Sequence, residues 1–350
     1  MKEEKVNRKD IKCVIWDLDN TIWDGVLLES ETVVLKKNIE TILQTLDARG
    51  ILNSIASKNN YEDAMRKLKE FHIDQYFLYP QIHWNAKSES VKRIQKDLNI
   101  GMDTILFLDD QPFELDEVKS ECLEVMCVNA AEYESLLDIP RLNPRFISQD
   151  SKRRRLMYLE NIERQKEEEG FQGPQIEFLA GLNMVFKISK ATENDLKRAE
   201  ELTVRTNQLN STGITYDYHE LKELMLSDDY MLLVCELEDK YGSYGKIGLS
   251  LIQKEKEQWT IKLLLMSCRV VSRGVGTILL AYIMNEAKKH NVRLYADFKQ
   301  TSRNKMMMVA YSFANFKTVR KDEEGYCLLE NDLSKIQPYP DYLELQIDIE

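Results

Sequence analysis

VIWDLDNTIWDGV, residues Val14–Val26, sets two carboxylates, Asp17 and Asp19, directly after an apolar run. A core has no use for acids at that point, and an ordinary loop does not need two at a spacing of one residue. KCVIW (12–16) reads as a strand. Beyond it, apolar runs alternate with amphipathic stretches. ETVVLKKNIETILQTLDARG (31–50) reads as a helix closed by Gly50 and ILNSIA (51–56) as a second strand. YEDAMRKLKEFH and SESVKRIQKDLNIG are helical, TILFL (104–108) is a third strand and LEVMCV (123–128) a fourth. Strands that are continuously apolar and alternate with helices predict a parallel sheet covered on both faces, an α/β domain.

In such a sheet ligands bind beyond the carboxyl ends of the strands. The first strand ends in Asp17 and Asp19, the second in Ser57-Lys58-Asn59 and the third in Asp109-Asp110, while Lys87 precedes a helix in NAKSES. One rim therefore collects four carboxylates, a hydroxyl and an ammonium. Like charges a few Å apart in a partly dry site repel by several kcal/mol, so a divalent cation beside the lysine is required for balance. Oxygen-only ligands point to Mg²⁺.

This constellation resembles the haloacid dehalogenase (HAD) superfamily of phosphoryl-transfer enzymes, whose signature is DxDxT/V, Ser/Thr, Lys, then DD or GDxxxD. Here it reads Asp17-Leu18-Asp19-Asn20-Thr21, Ser57, Lys87 and Asp109-Asp110, with Glu114 four residues on. The resemblance implies that Asp17 is the nucleophile and Asp19 the general acid and base. Ser57 and Lys87 hold phosphoryl oxygens, with Thr21 and Asn59 beside the substrate. Asp17, the carbonyl of Asp19, Asp109 and Asp110 are the implied Mg²⁺ ligands, Asp109 the weaker case because glycine stands there in GDxxxD relatives.

LDNTIWDGV, SKNN, NAKSESVKRI, FLDDQPFE, TNQLN and LMSCRV together resemble the FkbH-like family, in which a HAD domain is joined to a domain like the GNAT acetyltransferases. That resemblance implies a HAD-like Rossmannoid domain over 1–137, a charged helical linker over 138–174 and a GNAT-like α+β domain over 175–350. It implies transfer of the glyceryl group of 1,3-bisphosphoglycerate, an acyl phosphate, to the phosphopantetheine thiol of an acyl carrier protein in polyketide or peptide–polyketide synthesis. Two positions depart from the family. Ala56 stands where a cysteine, a candidate acyl carrier, often precedes the second-strand serine, and Asp24 stands where glycine is usual. A thioester at position 56 is excluded, which leaves direct transfer to the carrier thiol or passage through another cysteine.

The second half reads as two helices, an antiparallel meander from Tyr230 to Ser267, a turn SRGVG and a long apolar helix. Gly274 and Gly276 let backbone amides at that helix start approach a phosphate, flanked by Arg269 and Arg273. The acetyltransferase pattern Q/R-x-x-G-x-G/A is broken by Val271, and Asn315 replaces the glycine of an N…Y…GF segment otherwise matched by Asn304, Tyr311 and Phe316. This favours a docking role for the pantetheine arm over acetyl transfer. Cys268, beside Arg269, is a second candidate acyl carrier, because a nearby cation favours the thiolate; packing is the commoner use of such a cysteine. His83, near Trp84 and Lys87, is either a surface residue or part of the substrate entrance.

A net charge of −11, from 48 basic and 59 acidic residues, argues against nucleic acid as the main partner. The apolar runs are too short for a membrane span. MKEEKVNRKD has no apolar leader core, and six cysteines without regular spacing read as reduced thiols in a cytoplasmic protein. KRRR (152–155) is either part of a solvated helix or a patch for an acidic partner. The rival functions are a phosphatase for a small free metabolite, a non-catalytic carrier-binding scaffold and a true acetyltransferase.

Overall fold

The computed structural model describes residues 9–30, 32–206 and 208–349. Most of the amino-terminal segment read above for a leader, together with Glu31 and Asn207 of TNQLN, lies outside the described residues. The chain divides into two compact units, Met1–Leu159 and Glu160–Glu350.

The first unit follows the alternating pattern. Its elements are β1 (Cys13–Trp16), β2 (Trp23–Asp24), β3 (Val34–Leu35), α1 (Ile39–Ala48), β4 (Leu52–Ser57), α2 (Tyr61–Glu70), β5 (Gln81–Ile82), α3 (Lys87–Leu98), β6 (Ile105–Asp109), α4 (Pro112–Glu121) and β7 (Met126–Asn129). The order β5-β4-β1-β6-β7 is parallel throughout and puts β1 at the centre. Cys13, Val14, Ile15 and Trp16 are all fully buried, as a central strand covered on both faces requires.

The predicted helix over 31–50 starts only at Ile39. Val34–Leu35 pair instead with Trp23–Asp24 to form a two-stranded flap after β1. Asn20, at φ 52, turns the chain into that flap and accepts a hydrogen bond from the Gly25 amide (3.1 Å). The short strand β5 had no periodic signal.

Next come α5 (Gln149–Lys152) and α6 (Arg154–Gly170), the latter crossing the division between the units. KRRR is not a free patch. Arg154 is buried and donates to the Gly50 carbonyl (2.7 Å), and Arg155 pairs with Asp47 (3.0 Å) and lies over the Tyr76 ring. Further along α6, Arg164 is fully buried and forks onto both carboxylate oxygens of Asp239 (2.7 and 2.8 Å). This helix is therefore not simply solvated.

The second unit contains α7 (Gln175–Gly181), β8 (Met184–Lys190), α8 (Leu196–Arg205), α9 (Tyr218–Leu226), β9 (Tyr230–Asp239), β10 (Gly242–Lys254), β11 (Gln258–Met266), α10 (Val275–Lys289), β12 (Arg293–Lys299), α11 (Lys305–Phe313), β13 (Phe316–Lys321), β14 (Tyr326–Asn331) and β15 (Leu343–Asp348). Its mixed sheet runs β13-β14-β12-β11-β10-β9-β8-β15. α8 and α9 cover one face, while α7 and α10 lie in the hydrophobic core of the other. An α/β parallel sheet followed by a separate α+β mixed sheet is the fold class expected from the sequence. The first of the two helices expected in this half stops at Arg205, and Leu209–Ser211 run extended against β11. All six cysteines are unpaired thiols. Among the described residues no helix is long and apolar enough to cross a membrane.

Candidate active site

β1 and β6 are adjacent and in register, Trp16 opposite Leu108, so the residues that follow them, Asp17 and Asp109, are neighbours. Lys87, the first residue of α3, reaches between them. Its ammonium is paired with Asp17, with Asp109 (2.9 Å) and with the Ala56 carbonyl (2.9 Å). All three side chains are buried. One carboxylate oxygen from each of Asp17, Asp109 and Asp110 lies within 4.8 Å of the other two. Three carboxylates against one ammonium leave an excess negative charge, and all the donors are oxygen. That set fits a hard divalent cation such as Mg²⁺.

The electrostatics agree. Burial pushes the Asp109 carboxyl up to about 6, and the Asp17 charge adds to the effect. Asp110 is raised for the same two reasons. Burial works to lower the Lys87 pKa, but the charges of Asp17 and Asp109 outweigh it and hold Lys87 above its ordinary value. Asp109 already uses both oxygens, accepting from the Gln111 amide (2.9 Å) and from Lys87. This makes it a less available cation ligand than Asp110.

The Asp19 carboxylate stands outside that group. One oxygen accepts from the Trp23 indole (2.8 Å) and the Leu27 amide (3.0 Å), the other from the Asn59 amide group (3.0 Å). Burial raises its pKa against those hydrogen bonds. The flap and the end of β4 thus hold the Asp19 carboxylate separately from the cation cluster. Ser57 is buried at the end of β4, one residue beyond the carbonyl that holds Lys87. Thr21 is buried and its hydroxyl has no hydrogen-bond partner.

Sequence reasoning missed part of the support. Trp23 orients Asp19, and Glu117 accepts from the Ser88 amide (3.0 Å) and hydroxyl (2.5 Å), tying down the start of α3. Lys58 pairs with Glu114 (2.7 Å). Ser88 and Glu117 are 29 residues apart and Lys58 and Glu114 are 56, so no local spacing rule links them. His83 accepts from the Asn85 amide (3.2 Å), so it shapes the turn before Lys87. Five large apolar side chains stand exposed on connections leaving the carboxyl ends of the strands: Leu28 and Val34 around the flap, Tyr61 opening α2, Trp84 before α3 and Phe113 in α4, exposed by 47 to 75%.

In the second unit the flagged residues do not converge. Arg273 is buried; it pairs with Glu168 (3.1 Å) and lies over the Phe178 ring, so its side chain is not presented as a phosphate ligand. Arg269 donates to the Tyr244 carbonyl (3.1 Å) and the Ser267 hydroxyl (3.4 Å), and the adjacent Cys268 is half-buried. Gly274 takes φ +75, and a Cβ there would strike the Tyr342 hydroxyl, whereas a Cβ on Gly276 would meet open space. Gly276 borders an apolar cleft of about 420 Å³ lined by Val270, Val271, Met306, Val309 and Phe313. Asn315 adopts φ 67, the conformation glycine takes most readily. Asn304 is buried and clamps the carbonyls of Asn210 and Lys299 (both 2.9 Å). Beyond Ile261, β11 leaves β12 and pairs with Leu209–Ser211 (Ser211 amide to Leu264 carbonyl, 2.9 Å).

No protein-family model and no curated protein matches the chain. Among solved structures, it is similar to the amino-terminal part of BF1531 from Bacteroides fragilis, which contains a phosphatase domain complexed with Mg: 29% identity, TM-score 0.32, over 39% of this chain. The chain spans 41% of that protein's length. It is also similar to the ribosomal-protein-S18-alanine N-acetyltransferase of Escherichia coli (14% identity, TM-score 0.34, 45% of this chain and 97% of that one). A third similarity is to yncA, a putative acetyltransferase from Salmonella typhimurium with acetyl-CoA (15%, TM-score 0.34, 45% and 98%).

Proposed function

We propose that the chain is an Mg²⁺-dependent phosphatase and acyltransferase that takes the glyceryl unit of 1,3-bisphosphoglycerate to the phosphopantetheine thiol of an acyl carrier protein. The observation that carries the phosphoryl part is the meeting of Asp17, Asp109, Asp110 and Lys87 at the ends of β1 and β6. Asp17 and Asp110, with Asp109, would hold the ion. When bound, Mg²⁺ neutralises charge on the phosphoryl oxygens.

Delivering glyceryl, rather than phosphoglyceryl, means that both phosphates leave. At the ester, Asp17 attacks phosphorus, the P–O bond to the substrate breaks and an aspartyl phosphate forms. Asp19, held apart by Trp23, Leu27 and Asn59, gives its proton to the departing alkoxide. It then takes one from the water that releases phosphate. Lys87 and Ser57 steady the phosphoryl oxygens. At the acyl end, the carrier thiolate attacks the carbonyl carbon and the second phosphate leaves with the C–O bonding pair. Ala56 in place of cysteine favours direct attack by the carrier thiol.

The apolar cleft beside Gly276 supports docking of the pantetheine arm at the second unit. The test is to incubate the protein with Mg²⁺, 1,3-bisphosphoglycerate and a phosphopantetheinylated carrier and to read the carrier's intact mass. A glyceryl gain is expected, and no gain ends the glyceryl reading. Phosphate release at full rate without carrier would favour a small-metabolite phosphatase instead.

A further inference from the structure

The sheet order β4-β1-β6 gives one ion pair a position that its sequence does not reveal. Lys58 follows the last residue of β4, and Glu114 lies in the first turn of α4, just after β6. Their 2.7 Å contact therefore joins the ends of the two strands that flank β1. Glu114 is buried, while the Lys58 side chain is 35% exposed. The other ammonium groups near the rim are engaged differently. Lys87 is buried between Asp17 and Asp109, and Lys36 donates to the Asn20 carbonyl beside Asp24. Lys58 is thus a cation next to Ser57 at the strand-end rim, partly in water and, among the described residues, held by a single carboxylate.

We infer that Lys58 is the contact for a second anionic group of the substrate, a carboxylate or phosphate remote from the transferred phosphoryl group, and that Glu114 holds the lysine over Asp17 until such a substrate displaces it. On this inference, a small phosphate ester at Asp17 turns its far end to this pair. One with a negative far end exchanges one carboxylate partner of Lys58 for another, whereas one with a neutral far end gains nothing there. This rests on the reading of the rim as a phosphoryl-transfer site, and it turns that site from a general phosphatase into one selective for doubly anionic small molecules.

3-Phosphoglycerate and glycerol 3-phosphate differ chiefly in whether the far end is a carboxylate. With Mg²⁺ present, phosphate release by the full chain should favour 3-phosphoglycerate by at least tenfold in kcat/KM. Lys58→Gln should remove most of that preference, mainly through KM, and lower the glycerol 3-phosphate rate by less than about threefold. Glu114→Gln, which frees the lysine, should lower KM for 3-phosphoglycerate. An equal loss on both substrates, or none on either, overturns the inference. If the natural chain cleaves neither compound, the phosphatase reading fails separately. Calorimetric binding of both compounds to the natural chain and to Lys58→Gln then decides the role of Lys58, and equal affinities for the two compounds refute it.

Discussion

The rim of the first unit and the α10 start of the second were both marked out by their sequence, and they turned out differently. At the rim, Lys87 from the start of α3 and Asp109 and Asp110 from the end of β6 converge on Asp17. At α10, two arginines beside paired glycines turn to Glu168 and to the Tyr244 carbonyl. The rim acids are short and follow directly on strands whose register is set by backbone pairing, so their meeting follows from the sheet. An arginine reaches several Å in many directions, and the nearest buried carboxylate or carbonyl takes it. Adjacency in sequence locates a backbone, and it locates a side chain only when that side chain is short.

The comparison breaks first at Asp17. Asp17→Asn should lower phosphate release roughly 10⁴-fold or more with little change in thermal unfolding; unchanged turnover would make the rim a scaffold. Lys87→Met comes next, because it leaves Asp17 and Asp109 buried without their counter-charge. Destabilisation of about 3–5 kcal/mol is expected by denaturant titration.

A smaller effect tests the cation. The folded Asp109 carboxyl, at about 6, lies above its unfolded value near 3.9, so the folded state holds the extra proton between those values. Its contribution to metal-free stability is present below about pH 4 and is lost as pH rises to 6. Mg²⁺ should therefore raise the melting temperature more at pH 7 than at pH 5, and Asp109→Asn should flatten that difference. At a Mg²⁺ concentration of 100 times Kd the gain is about 2.7 kcal/mol.

In the second unit, Gly274→Ala should cost about 1–3 kcal/mol, through its left-handed backbone and the Tyr342 hydroxyl, without altering phosphate release. Smallest of all, Cys268→Ala should leave carrier loading within about twofold of the natural chain. Loss of loading would restore an enzyme thioester on that residue and bring the two regions closer in kind.

What the sequence determined by itself was the alternation that builds the parallel sheet and the residues at its strand ends. Asp17, Ser57, Asp109 and Asp110 were legible because apolar runs end sharply and the sheet's period leaves little freedom beyond them, whereas Lys87 was legible only as a match to the motif order. The flap was not legible: Val34–Leu35 sit in a helix-like stretch, and their pairing with Trp23–Asp24 is a contact between chain segments. The same holds for Leu209–Ser211 against β11 and for Lys58 with Glu114. Tertiary structure alone decided which carboxylates share a cation cluster, that Asp19 stands apart on Trp23 and Asn59, and where each long basic side chain found its partner. Local propensity acts over a few residues, whereas a buried charge is placed by whichever opposite charge or carbonyl the fold brings within hydrogen-bond distance.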